Sequence, residues 1–238
     1  MQKLFFTAVL LLSVSPIFSQ FVEVLNQSTK KFKIPGNDFA YLESKSDTSE
    51  YDFVATIKVT DNKKSNIESL YNSALKKAKC IGANCFKFKS FAQSDTSNKV
   101  VLILDTYFGG DSLLDANFSL HAKNTVYIFC NDKINDSEFF NFKVNGEKQK
   151  IKSGTYFKAE IFESQEIELA KGGFLGMTMW LKWKKNRHAD FFSLTGFGIG
   201  GGWAGAGGSM GVSFNTGRFN PIDGNFGSLL TQILKEYR

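Results

Sequence analysis

The sequence predicts an α+β fold in which β structure dominates: an N-terminal β-α-β-β module, then a mainly antiparallel β-sandwich or small barrel closed by a C-terminal helix. Three observations predict it. One capped, amphipathic helix lies between Ser65 and Gly82 and runs straight into an alternating strand. The second half is a series of short alternating runs separated by glycine turns. The composition fits, with 25 Phe and 21 Gly against 3 Pro, since aromatic residues favour pleated surfaces and proline interrupts them.

The helix carries its own start, face and stop. Ser65 and Glu68 have capping-box spacing. Ile67, Leu70, Tyr71, Ala74, Leu75, Ala78 and Ile81 follow the i, i+3, i+4 rule and form one apolar stripe. Lys76, Lys77 and Lys79 suit the negative end of the helix dipole, and Gly82 supplies the left-handed stop. From Cys85 to Phe91, Phe86 and Phe88 alternate with Lys87 and Lys89, as in a half-buried strand.

The remaining elements follow in chain order. Residues 1–19 read as a signal peptide: Lys3, an apolar run from Leu4 to Val14, and a cleavage site at Ile17-Phe18-Ser19 before Gln20. Removing them lowers the formal net charge of +6 by one, a modest basic excess that identifies no partner. Residues 20–110 form a small α+β domain. It has one or two strands around Pro35-Gly36, a strand with Phe53, Ala55, Ile57 and Val59 on one face, the helix and its strand, and a central strand from Val100 to Phe108. Gly109-Gly110 closes it, and the next few residues read as an exposed connector.

Residues 119–238 form a β-rich domain. Its strands run Thr125–Cys130, Phe139–Val144, Tyr156–Phe162, Glu166–Ala170 and Phe174–Trp183, with Leu175, Met177, Met179, Leu181 and Trp183 on one face of the last. Asn145-Gly146 marks a tight hairpin. Leu229, Leu230, Ile233, Leu234 and Tyr237 outline the final amphipathic helix, which is expected to dock on its own domain.

The helix segment has the form Ala-x-x-x-Ala-x-x-x-Gly-Ala-Asn, carried by Ala74, Ala78, Gly82, Ala83 and Asn84. With the strands around it, residues 51–108 resemble the YbjQ-like and Rcs stress-sensor lipoprotein domains of bacterial envelopes. The resemblance implies a non-enzymatic module that works through partners. It carries no functional residues over, because the chain lacks a lipidated cysteine and most of the sensor's disulfide pattern.

Several chemistries find no footing. Gly196, Gly198 and Gly201 match a dinucleotide pattern but lack a surrounding parallel βαβ unit. Gly207, Ser209 and Gly211 match G-x-S-x-G, yet both histidines, His121 and His188, precede the serine. Two histidines and three cysteines, scattered, lack zinc spacing, and Asp132, Asp136 and Glu138 lack the register of a calcium loop. No catalytic residue, metal, cofactor or nucleic-acid partner is expected.

Two sets of residues stand out as candidates. Trp180, Lys182, Lys184, Lys185 and Arg187 interleave aromatic and basic groups, a pattern that holds ligand phosphates or a membrane surface, although a strand with Trp183 in the core explains it too. Cys80 and Cys85 flank Gly82, and an oxidising compartment permits a bridge whose geometry spacing alone does not set. Cys130 reads as a small buried hydrophobe.

The expectation is an exported protein (periplasmic, outer-membrane-associated or extracellular) that acts by binding a protein or envelope-surface partner without catalysis. One alternative is a membrane-associated protein using the uncharged Gly-rich stretch from Phe191 to Phe214. An uncharacterised hydrolase is the other.

Overall fold

The computed structural model describes residues 20–33, 39–61, 66–94, 99–131, 134, 137–172, 176–195 and 218–237. Residues 1–19, expected to be a signal peptide, the Gly-rich stretch beyond Thr195 with both of its glycine motifs, Leu175, Asp132 and Asp136 lie outside the described residues. The fold is β-rich α+β with several sheets and a C-terminal helix. No helix among the described residues is long and apolar enough to cross a membrane.

The N-terminal sheet contains β1 (Gln20–Gln27), β2 (Ala40–Tyr41), β3 (Asp52–Asp61), β4 (Cys85–Gln93) and β5 (Val100–Phe108) in the order β1-β3-β5-β4-β2. The long apolar strand is indeed central. Val100, Leu102, Leu104 and Thr106 are buried, but the residues between them are only half-buried, so one face of β5 is fully covered and the other partly.

Helix α1 (Ile67–Cys80) buries Ile67, Leu70, Tyr71, Ala74 and Ala78, the stripe read from the sequence. Its cap is Asn66, whose side chain accepts from Ser69 N at 2.9 Å; Ser65 lies outside the described residues. Gly82 has φ +91°, and a Cβ there would sit 2.5 Å from Phe32 Cβ, so the turn needs glycine both for its backbone and for its space.

A helix also replaces the expected connector. α2 (Asp111–Leu120) follows Gly110, which offers no side-chain cap. The helix is latched instead by Asn117, which is buried, donates to Tyr41 O at 2.9 Å and accepts from Glu43 N at 2.9 Å.

The second half stacks two sheets. One holds β7 (Phe139–Val144), β8 (Glu147–Lys152), β10 (Glu166–Lys171) and β11 (Met177–Lys182), antiparallel in the order β11-β10-β7-β8. Asn145 (φ +51°) and Gly146 (φ +81°) make the expected hairpin turn. The other holds β6 (Thr125–Phe129), β9 (Thr155–Glu160), β12 (Asp190–Ser193), β13 (Asn220–Pro221) and β14 (Lys235–Glu236), in the order β13-β12-β6-β9-β14. This sheet is mixed rather than antiparallel, because β12 runs parallel to β6 and β14 parallel to β9.

Strand alternation divides the mixed sheet's two faces between two cores. Val126, Ile128 and Phe192 pack with Phe142, Ile151, Ile167 and Leu169 of the four-stranded sheet. Tyr127, Phe129, Tyr156 and Phe191 point the other way, into the core of the N-terminal half.

Helix α3 (Gly224–Ile233) fills the space between them. Phe226, Gly227, Ser228, Leu229 and Leu230 are buried in succession, as in a helix covered on more than one side. It does not dock on its own half alone. α1 lies chiefly over β3, β5 and β1, and α3 covers the β4–β2 side of the N-terminal sheet. The reason is width: five strands at about 4.8 Å spacing outreach a helix roughly 10 Å across.

Candidate functional site

The place where α2, β6, β12 and α3 meet is a pocket of ≈ 220 Å³, and it gathers the chain's two histidines. Glu43 and Phe118 line one side, Tyr127 and Phe191 another, and Asn225, Ser228 and Thr231 present the flank of α3.

Each wall has a local cause. Tyr127 of β6 and Phe191 of β12 are register partners, and their rings stack 5.1 Å apart at 10°. Asp223 caps α3 by accepting from Asn225 N at 3.1 Å and Phe226 N at 3.0 Å. Asn225 Oδ1 then accepts from Tyr41 N at 2.8 Å, which ties the start of α3 to β2. His121 ends α2, with Nε2 3.2 Å from Tyr41 O. The Asn117 amide Nδ2 lies 3.2 Å from the same Nε2, so that nitrogen faces both an acceptor and a donor, while Nδ1 faces Glu43 Oε1 at 3.9 Å. His188 sits at the exposed rim, where its Nδ1 lies 3.2 Å from Lys123 Nζ, and Phe118 lies against both imidazoles.

The electrostatics favour neutral groups. Burial, with Lys123 and His188 nearby, pushes the His121 pKa down, and burial and Lys123 do the same to His188. Burial pushes the Glu43 carboxyl up, against the lowering influence of the Ser44 backbone and Lys45. Both imidazoles are therefore neutral at neutral pH and can each donate and accept a hydrogen bond. The arrangement suits a small polar molecule with one ring or flat face. A second hollow of ≈ 380 Å³ runs along Asn66, Ser69, Asn72, Ser73 and Lys76 of α1, but it has no aromatic or aliphatic wall.

The predicted basic-aromatic segment does not form one surface. Trp180 is exposed and Lys182 lies 3.6 Å from Glu166 on the outer face of the four-stranded sheet. The Lys184 backbone is held by Asn124, and Lys185 occupies an exposed turn. Arg187 turns inward, donating to Lys182 O at 2.7 Å and pairing with Asp190 Oδ2 at 2.6 Å, so its charge is spent within the fold.

Cys80 and Cys85 are not bridged. Cys80 is exposed at the end of α1, while Cys85 is buried and its thiol faces Tyr107 O; burial pushes that thiol up to about 12. The Cys80–Cys85 bridge that the spacing permits is not formed. Cys130 is fully buried, as its apolar surroundings imply. Among the described residues no group of three or more His, Cys, Asp or Glu is placed to hold a metal ion.

Sequence reading missed the pocket because its residues are scattered from Glu43 to Thr231. The scarcity of histidine was its one signal: a chain with only two places both on one cavity. The chain matches no protein family, no curated protein and no solved structure.

Proposed function

We propose that this is an exported, non-catalytic protein that acts by binding, and that the pocket between α2, β6, β12 and α3 holds its ligand. The observation that carries the reading is the convergence of His121, His188 and Glu43 with stacked Tyr127 and Phe191 on one cavity. Polar groups converging among aromatic walls fix a ligand's orientation while the rings cover its flat face. At ≈ 220 Å³ the space fits a single sugar ring or an amino acid rather than a larger molecule. The segment of residues 1–19 and the resemblance of residues 51–108 to envelope sensor domains point to the same class of protein.

The experiment is retention of small molecules. The chain from Gln20 is incubated with envelope extract, washed and denatured, and the released compounds are identified by mass spectrometry. Thr231→Trp, placed on the half-buried flank of α3, fills the pocket without touching the core. The reading expects a compound released by the wild type and at least tenfold less from Thr231→Trp. Equal release from both, or none from the wild type, contradicts it.

A further inference from the structure

We propose that the exposed outer face of the four-stranded sheet, centred on Lys143, Lys148, Lys150 and Lys152, docks on an anionic lipid surface. The inference does not rest on the pocket, which lies on the opposite face of the neighbouring sheet. Alternation builds the surface. In β8, Gln149 and Ile151 turn inward, so Lys148, Lys150 and Lys152 turn out together. In β7, Phe140, Phe142 and Val144 turn inward, leaving Phe139, Asn141 and Lys143 outside.

The register then concentrates charge. Lys143 stands directly opposite Lys148, Asn141 opposite Lys150, and Phe139 opposite Lys152. Like charges directly opposite destabilise a strand pair, so folding alone does not favour this pattern. Among the described residues none of these four lysines has an ion-pair partner. Two acidic groups share this face, both on β10: Glu166 meets Lys182, and Glu168 stands diagonal to Lys143; Glu147, opposite the inward Val144, belongs to the other face.

Shape and aromatic content select the partner. Four strands of about six residues make a face roughly 14 Å by 20 Å, an extent that suits a bilayer surface. Trp180 on β11 is 57% exposed and Phe139 on β7 is 42% exposed, the latter with Lys150 Nζ 4.2 Å from its ring centre. Exposed aromatics beside lysines on long aliphatic stems are the groups that settle at the headgroup level. The chain thus keeps Trp180 and Lys182 of the basic-aromatic motif but takes most of its charge from β7 and β8.

The test is co-sedimentation of the chain from Gln20 with vesicles of phosphatidylcholine alone or of phosphatidylcholine with phosphatidylglycerol. Binding is expected only to the anionic vesicles, and it falls as salt is raised. Each lysine near an anionic leaflet is worth roughly fivefold in partitioning, so replacing all four by Gln should weaken binding by roughly several hundredfold. Lys148→Gln/Lys150→Gln, a milder variant, should lose roughly 25-fold, and Trp180→Ala should lose binding that salt does not recover. Circular dichroism and melting confirm that each variant is folded. Absence of wild-type binding, equal binding to both vesicle types, or undiminished binding by the folded lysine variants overturns the proposal. Retention on a soluble acidic polysaccharide without vesicle binding overturns it too, in favour of a polysaccharide partner.

Discussion

Tyr71 of α1 and Phe226 of α3 stack with ring centroids 5.0 Å apart and planes 24° from parallel, although 155 positions separate them in the chain. Phe86 of β4 joins them, with its ring 5.6 Å from that of Tyr71. This cluster is where the C-terminal helix becomes part of the N-terminal core, and it makes the last helix a shared element of both halves.

Phe226→Ala should therefore cost about 3–5 kcal/mol, the range for deleting a buried phenylalanine. The loss should register in both halves at once. All three tryptophans lie in the second half, whereas far-UV circular dichroism reports on the whole chain. Denaturation followed by both signals should give coincident transitions that shift together in the variant. Separate transitions would show that α3 does not couple the halves.

Gly227 and Gly224, three residues apart on one helix, should respond in opposite directions to alanine. A Cβ on Gly227 runs into the Phe191 ring, while one on Gly224 meets open space. Alanine improves helix propensity by up to about 1 kcal/mol, yet overpacking costs about 1–3 kcal/mol, so Gly227→Ala should be destabilising overall. Gly224→Ala should be stabilising by about 0.4–1 kcal/mol. Thermal melts of the two variants decide it.

On α1, Ala78→Leu should cost about 1–3 kcal/mol, because Ala78 is fully buried where the helix meets the sheet. Lys77→Leu, half-buried and off the stripe's centre, should cost little. Chemical denaturation of the two variants should rank them in that order. Equal costs would place the helix face elsewhere.

Glu43 and His121 should set opposite pH limits on stability. Burial holds the Glu43 carboxyl above its ordinary 4.5 and the His121 imidazole below its ordinary 6.5. For Glu43 the unfolded chain ionises first. Its penalty is absent below about pH 4.5 and grows until the pH passes the raised folded value. For His121 the unfolded chain takes the proton first, so a penalty grows as pH falls below about 6.5 and is complete below the lowered folded value. Glu43→Gln should consequently raise Tm at neutral pH and give no gain well below pH 4.5. Calorimetry across that range checks the sign; a gain confined to acid pH would reverse the assignment.

Much of the fold is legible where local signals agree. β5 follows from a nearly unbroken apolar run, and β7 and the Asn145-Gly146 hairpin follow from alternation and from backbone angles that asparagine and glycine tolerate. The α1 stripe and its Gly82 stop follow from helical periodicity. α2 is hidden because Gly110 gives no cap and the latch that holds it, Asn117 to Tyr41 and Glu43, spans about 75 positions. The Ser65 cap misses by one residue because neighbouring Asn66 has the same capacity to accept from the first turn.

The parallel pairings of β12 with β6 and β14 with β9 leave no local mark, since such strands are joined by long crossovers. A helix buried on more than one side looks, in sequence, like one with a single apolar stripe. Neither the shared core nor the pocket beside it could be placed before the sheets were. The basic-aromatic segment misleads for a related reason: charge in sequence says nothing about Arg187 turning back onto Asp190.

The most direct measurement is the pair of histidine Cε1–H signals in a proton NMR spectrum, which report on the pocket because His121 and His188 are the chain's only histidines. Adding the small-molecule fraction of envelope extract to the chain from Gln20 should shift both signals in the wild type. Both should stay unmoved in Thr231→Trp. Retention of a ligand by the wild type while both signals remain in place would put the binding site elsewhere and contradict the account.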